Sequence, residues 1–231
     1  MTILLSIEGN IGSGKSTLVN YLKNKYKNNK EICFLDEPVS VWENIKDIHN
    51  KSMLEKYYEN QEKYAFAFQM MAYISRIVPL RKALKQNYKV IITERSVYTD
   101  KMVFAKMLHD DNKMEDVEHQ IYIKWFSEFL NDIPTPHIVY VQTNPEIAKT
   151  RVDKRARKGE TIPLEYLKNC HKYHENWLID NSHRNMFLWC CDEVEILMKE
   201  TNPEILKKYL LTIDGNIDIT VNTKQPDLWI E

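Results

Sequence analysis

Gly9-Asn10-Ile11-Gly12-Ser13-Gly14-Lys15-Ser16-Thr17 decides how this chain is read. The pattern is G-x-x-x-x-G-K-[ST], a phosphate-binding P-loop. Ile3-Leu4-Leu5-Ser6-Ile7 precedes it, apolar and short enough for a buried strand. Leu18-Val19-Asn20-Tyr21-Leu22 follows, with apolar residues at helical spacing. Strand, glycine loop and helix form the context the motif requires. Glycine allows the tight turn that points successive N–H groups at one phosphate, and the helix N-terminus adds its positive end. In this motif Lys15 reaches the outer phosphates and the Ser16 hydroxyl faces magnesium. Three of the chain's five glycines stand in this loop, so flexible backbone is concentrated here.

The composition is that of one large domain. The 231 residues are 43% hydrophobic and 28% charged, enough for a sizeable core. A single domain over 1–231, with a small lid at about 151–163, is the expected organisation. A net charge of −1 gives no general electrostatic case for nucleic acid or an anionic membrane. No apolar run approaches the roughly 20 residues of a membrane span. Cys33, Cys170, Cys190 and Cys191 lack C-x-x-C spacing and read as reduced thiols. With the first strand starting at once, a cytoplasmic location is expected.

Further strands are expected at Glu31–Asp36 (buried), Lys89–Thr93, His137–Val141 and Tyr209–Asp214. Helical patterns fall at 43–50 (weakly), 54–86, around Met102–Met107, at 116–130, 145–158 and 164–180, and less clearly around 194–199 and 203–209. Pro79 is expected to kink or end the long helix, and Asp110–Lys113 to form an exposed turn. Strands alternating with helices imply a parallel sheet covered on both faces, with ligands at the C-terminal strand ends. The residues there are the P-loop, Glu37, Glu94-Arg95, the loop after the fourth strand, and Asp214-Gly215.

Many P-loop proteins share these features. A GTPase carries N-K-x-D, yet no Asn-Lys pair here has the aspartate two places on. A motor-type ATPase carries a hydrophobic strand ending in Asp-Glu. Cys33–Glu37 imitates one, but it comes a single helix after the P-loop and Pro38 follows at once.

The fuller set of motifs resembles the deoxyribonucleoside kinases, and within them the deoxycytidine- and deoxyguanosine-kinase-like members. The matching stretches are Glu8–Ser16; Glu37-Pro38-Val39 with Trp42; Phe68-Gln69 with Ser75-Arg76-Ile77; and Glu94–Asp100 with Phe104. Arg151, Arg155 and Arg157 follow, then Ile162–Leu167 and His174–Leu178. They run in the family's order from residue 8 to about 180, and as a set they are specific.

The resemblance implies an α/β P-loop kinase fold: a five-stranded parallel sheet, helices on both faces and a small arginine-rich lid. It implies transfer of the terminal phosphoryl group of ATP, with Mg²⁺, to a deoxyribonucleoside 5′-hydroxyl, in a homodimer. By the same resemblance Glu37 is the catalytic base and Arg95 orients it, while Glu94 joins Ser16 at the metal. Arg151, Arg155 and Arg157 close over the phosphates. Tyr58, with Tyr57 as its rival, and Glu160 hold the sugar 3′-hydroxyl; the lid is about one residue shorter than in some relatives, which leaves the register at Glu160 open. Gln69 reads the base edge, Phe104 stacks on the base, and Trp42 and Phe68 line the pocket. Ala72, Arg76 and Asp100 form the combination of pockets that favour deoxycytidine and purine deoxynucleosides over thymidine. Asp214, Gly215 and Asn216 match the adenine loop loosely. The rivals are a thymidylate-kinase-type monophosphate kinase, which wants Gly where Val39 stands, and a non-catalytic P-loop protein, which is expected to lack Glu37 or Arg95. His171 and His174 beside Cys170 suggest zinc only superficially, since no further ligand pair accompanies them.

Overall fold

The computed structural model describes residues 2–157, 159–179 and 210–217. Cys190, Cys191, the stretch 181–208 with its expected helices, and the tail from 218 on lie outside them.

The sheet is built outward from β1 (Ile3–Glu8). β1 runs parallel to β3 (Val90–Glu94) on one side and to β4 (His137–Gln142) on the other. β2 (Ile32–Leu35) adds to β3 and β5 (Leu210–Asp214) to β4, all parallel. The order among the described residues is β2-β3-β1-β4-β5. Parallel pairing forces each connection to cross over through a helix, and it brings all five C-terminal strand ends to one edge.

Side chains alternate across the sheet and so divide the core in two. Ile7, Ile92, Val141 and Ile213 face α1 (Lys15–Lys25) and meet its Leu18, Val19 and Leu22. Leu4, Ile91, Ile138 and Tyr140 face the larger helical layer. That layer holds α4 (Gln61–Leu84), α7 (Asp116–Glu128) and α9 (Leu164–Leu178). Between α4 and α7 in sequence come α5 (Val97–Thr99), a π-helical stretch Asp100–Ala105 and α6 (Lys106–Asp110). No helix among the described residues is long and apolar enough to cross a membrane.

Several local expectations are corrected. The weak helix at 43–50 is instead α2 (Val39–Asn44), followed by an isolated antiparallel bridge between Lys46 and Ser52. The helix expected over 54–86 is two: α3 (Met53–Glu59) and α4, divided at Asn60. Asn60 has extended-side dihedrals (φ −151°, ψ 88°), and its side chain accepts from the Lys63 amide, so it ends one helix and caps the next. Pro79 does not end α4, whose Leu80 and Ala83 are still buried in the core beyond it. β2 is half-buried rather than buried because it stands at an edge. α8 (Pro145–Arg155) stops short of 158: Ala156 takes a left-handed conformation at φ 48°, which leaves Arg157 outside the helix.

Candidate active site

Each strand's C-terminal end delivers one part of the site. After β1 the P-loop turns through positive φ at Gly9, Gly12 and Gly14. Gly12 has φ 79°, and a Cβ there would lie 2.4 Å from the Ala148 carbonyl oxygen of α8, so only glycine fits. Asn10 is buried and ties the loop to α9: its Nδ2 donates to the Leu167 carbonyl at 2.8 Å. Lys15 crosses the loop, donating to the Asn10 carbonyl at 2.6 Å. Burial, and then the charge of Arg95, lower its pKa from 10.5 to about 7. Ser16 Oγ donates to Glu94 Oε1 at 2.7 Å, joining the loop to the end of β3.

Glu37 follows β2, and two guanidiniums converge on its Oε1. Arg76 Nη2 donates from α4 at 2.7 Å, and Arg95 Nη1 donates from the turn after β3. Burial opposes the Glu37 charge, but Arg95, Arg76 and Lys15 outweigh it and hold the carboxyl below the usual carboxylate range. Arg95 Nη2 also donates to the Gly9 carbonyl at 3.3 Å. Arg76 Nε bonds Asp100 Oδ1 at 3.2 Å, and its Nη1 donates to the Glu94 carbonyl at 3.1 Å. Burial pushes Asp100 up to about 6 in spite of Arg76.

These groups share one cleft of ≈ 380 Å³. The P-loop from Ile11 to Thr17 lines it together with Glu37, Glu94 and Arg95. Trp42, Tyr58, Phe68, Gln69, Ala72, Arg76, Asp100 and Phe104 line it as well. Trp42 meets Phe68 edge-on at 5.4 Å, and its Nε1 donates to Ser75 Oγ. Gln69 is buried, and its Oε1 has no hydrogen-bond partner among the described residues. Arg151, Arg155, Arg157, Glu160 and Gly215 complete the wall. Arg155 Nη2 donates to Glu160 Oε2 at 2.6 Å, and Arg157 Nη1 lies 3.7 Å from Glu160 Oε1. Arg151 Nη1 donates to the carbonyls of Ser13 and Gly215, and its Nη2 to that of Asn216.

Four expected site residues do not line the cleft: Gly9, Asn10, Asp214 and Asn216. They shape the loops from behind. Asp214 Oδ1 accepts from the Asn216 amide at 2.9 Å, and Asn216 Oδ1 accepts from the Asn144 amide at 2.8 Å. Conversely, Leu18, Leu54, Val141, Lys154, Tyr166 and Ile213 line the cleft without having been assigned a place in it. The rivals Tyr57 and Tyr58 both line it. Tyr57 stacks on Phe68 at 4.3 Å, and its hydroxyl bonds that of Tyr166 at 3.0 Å. Adjacent tyrosines on a helix give no sequence signal to choose between them. His174 lies elsewhere, fully buried on α9, where its Nδ1–H donates to the Cys170 carbonyl at 2.7 Å.

A profile of the deoxynucleoside kinase family matches residues 5–217. The chain belongs to the deoxynucleoside kinase family. It is a deoxyribonucleoside kinase, a phosphotransferase whose substrates are ATP and a deoxynucleoside. Among curated proteins this kinase is similar to deoxycytidine kinase 1 of Xenopus laevis, 36% identical over 98% of this chain and 87% of the relative. A probable deoxycytidine kinase of fowlpox virus is 38% identical over 77% and 72%. The mitochondrial deoxyguanosine kinase of Xenopus laevis is 34% identical over 75% and 72%.

Proposed function

We propose that this kinase phosphorylates deoxycytidine and purine deoxynucleosides in preference to thymidine, with Glu37 as the base. The observation that carries this reading is the buried pair of Arg76 and Asp100, which lines the same cleft as Gln69. Together they offer donors and acceptors to a base bearing an exocyclic amine. The similar proteins named deoxycytidine and deoxyguanosine kinases support the same preference.

In this reading Glu37 accepts the hydrogen bond of the 5′-hydroxyl through Oε2, since both guanidiniums occupy Oε1. A carboxylate held so acidic is a weak base. That suits a loose transition state, in which the proton leaves late and positioning does most of the catalysis. Arg95 stands beside the transferring group and offsets its charge. Lys15 and the P-loop amides hold the ATP phosphates. Arg155 and Arg157 exchange Glu160 for phosphate when the lid closes, and Glu160 with Tyr58 then meets the sugar 3′-hydroxyl. Arg151 acts differently from its two neighbours, bracing the P-loop against the adenine loop formed by Asp214, Gly215 and Asn216.

Mg²⁺ fits the Ser16–Glu94 pair, a hydroxyl and a carboxylate 2.7 Å apart, because the ion takes hard oxygen ligands. When bound, it neutralises charge on the ATP phosphates. The assembly is a homodimer. Ile74 and Val78 on α4, with Val117, Ile121 and Trp125 on α7, form an exposed apolar face at i, i+4 spacing that a second copy covers.

A panel of deoxynucleosides assayed with ATP and Mg²⁺ tests the preference. Deoxycytidine or a purine deoxynucleoside is expected to turn over fastest; thymidine outrunning all of them contradicts it.

A further inference from the structure

Glu8 ends β1, one residue before the P-loop, and does not line the cleft. Its side chain is wholly buried. Oε1 accepts from the Ser6 hydroxyl at 2.6 Å and from the Ser96 amide at 2.8 Å, and Oε2 accepts from the Thr99 hydroxyl. Two of the three bonds therefore clasp the segment after β3. Arg95 immediately precedes that clasp and Asp100 immediately follows it.

Arg95 is a non-glycine residue at φ 59°. Such a conformation is strained and persists only where the surroundings over-determine it. Two restraints bracket it here. The Arg95 amide donates to the Ile7 carbonyl at 3.0 Å, and the next amide, Ser96, donates to Glu8. Without the Glu8 carboxylate the Ser96 N–H is buried with no acceptor, and the turn is free to relax. The Arg95 guanidinium moves with it, away from Glu37 and from the Gly9 carbonyl.

We propose that Glu8 is a positioning residue for phosphoryl transfer: by clasping the Ser96 amide and the Thr99 hydroxyl it holds Arg95 against Glu37. This rests on the reading of Glu37 and Arg95 given above. The role is one of hydrogen-bond geometry, so glutamine fulfils it. The glutamine oxygen accepts from Ser6 and Ser96, and its NH₂ donates to a Thr99 hydroxyl that has rotated to accept.

The test is a double-mutant cycle on steady-state kinetics. Glu8→Ala is expected to lower kcat about tenfold or more while the KM values for ATP and deoxynucleoside stay within about threefold. Glu8→Gln is expected to stay within about threefold of wild type in kcat. In an Arg95→Lys background, Glu8→Ala is expected to cost less than about threefold further, because the group it positions is already gone. Equal losses in both backgrounds indicate a merely structural acid and overturn the proposal, as does a folded Glu8→Ala enzyme with unchanged kcat. If Glu8→Ala does not fold, Thr99→Val is expected to lower kcat and Thr99→Ser to restore it; an unchanged Thr99→Val enzyme overturns the proposal. The two readings fail separately. Arg95→Lys at wild-type kcat removes Arg95 from the mechanism and Glu8 with it, whereas a slow Arg95→Lys beside a fast Glu8→Ala removes Glu8 alone.

Discussion

Arg76 Nη2 donates to Glu37 Oε1 at 2.7 Å while its Nε holds Asp100. One guanidinium thus joins two carboxylates that line the same cleft. Both Arg76 and Asp100 are buried, so the pair is stable only as a pair.

Removing one member leaves a buried charge behind. Arg76→Leu is expected to destabilise the fold by about 3–5 kcal/mol, and Arg76→Leu with Asp100→Leu by less than the single change. The pH dependence follows from Asp100, already raised to about 6 with Arg76 present. Without Arg76 it rises further, so the native state keeps a proton that the unfolded chain releases. Stability of Arg76→Leu therefore falls as pH rises from about 4 through 6 and beyond. Urea unfolding at about pH 5 and 8 checks this. A double variant less stable than the single contradicts it.

Lys15 titrates near neutrality in the ligand-free protein, at about 7 against an ordinary 10.5. Between those values the native state has released a proton that the unfolded chain keeps, so this group's contribution to stability rises with pH across the window. Anionic phosphates favour the charged ammonium. ATP binding at about pH 8, where a terminal phosphate is already fully ionised, is therefore expected to take up close to one proton. Calorimetry in two buffers of different ionisation enthalpy measures that uptake; buffer-independent heats contradict it.

The apolar face of α4 and α7 makes a separate prediction. Ile121→Glu with Trp125→Glu places two charges on a stripe where Ile121 is 41% and Trp125 44% exposed. Sedimentation at micromolar concentration is expected to report a dimer for the wild type and a monomer for this variant, each folded by circular dichroism. A wild-type monomer, or a variant that still dimerises, contradicts the proposed assembly.

The fold was legible wherever one local signal sufficed. The P-loop marked β1 and α1, and short apolar runs marked the other strands. Parallel topology then implied that Glu37, Glu94-Arg95 and Gly215 share an edge, and all four line the cleft. What escaped depended on contacts distant in sequence or on a single residue's backbone. Asn60 divides a helix that periodicity reads as continuous, because its side chain caps as well as its dihedrals break. Pro79 passes inside α4 because the residues beyond it are held by core packing that no local pattern reports. Glu8 matched a motif, but its acceptors' partners are 88 and 91 residues away. Arg151 is grouped with Arg155 and Arg157 by the resemblance, yet it bonds backbone carbonyls that only the folded chain brings near.

The central claim is that Glu37 receives the 5′-hydroxyl. Glu37→Gln keeps the shape of the side chain and removes its basicity. Steady-state turnover of the best deoxynucleoside, with binding of the same nucleoside measured by calorimetry, tests the claim most directly. A fall in kcat of about 10²-fold or more, with Kd within about fivefold of wild type, is the predicted result. A Glu37→Gln enzyme with kcat within about threefold of wild type contradicts it.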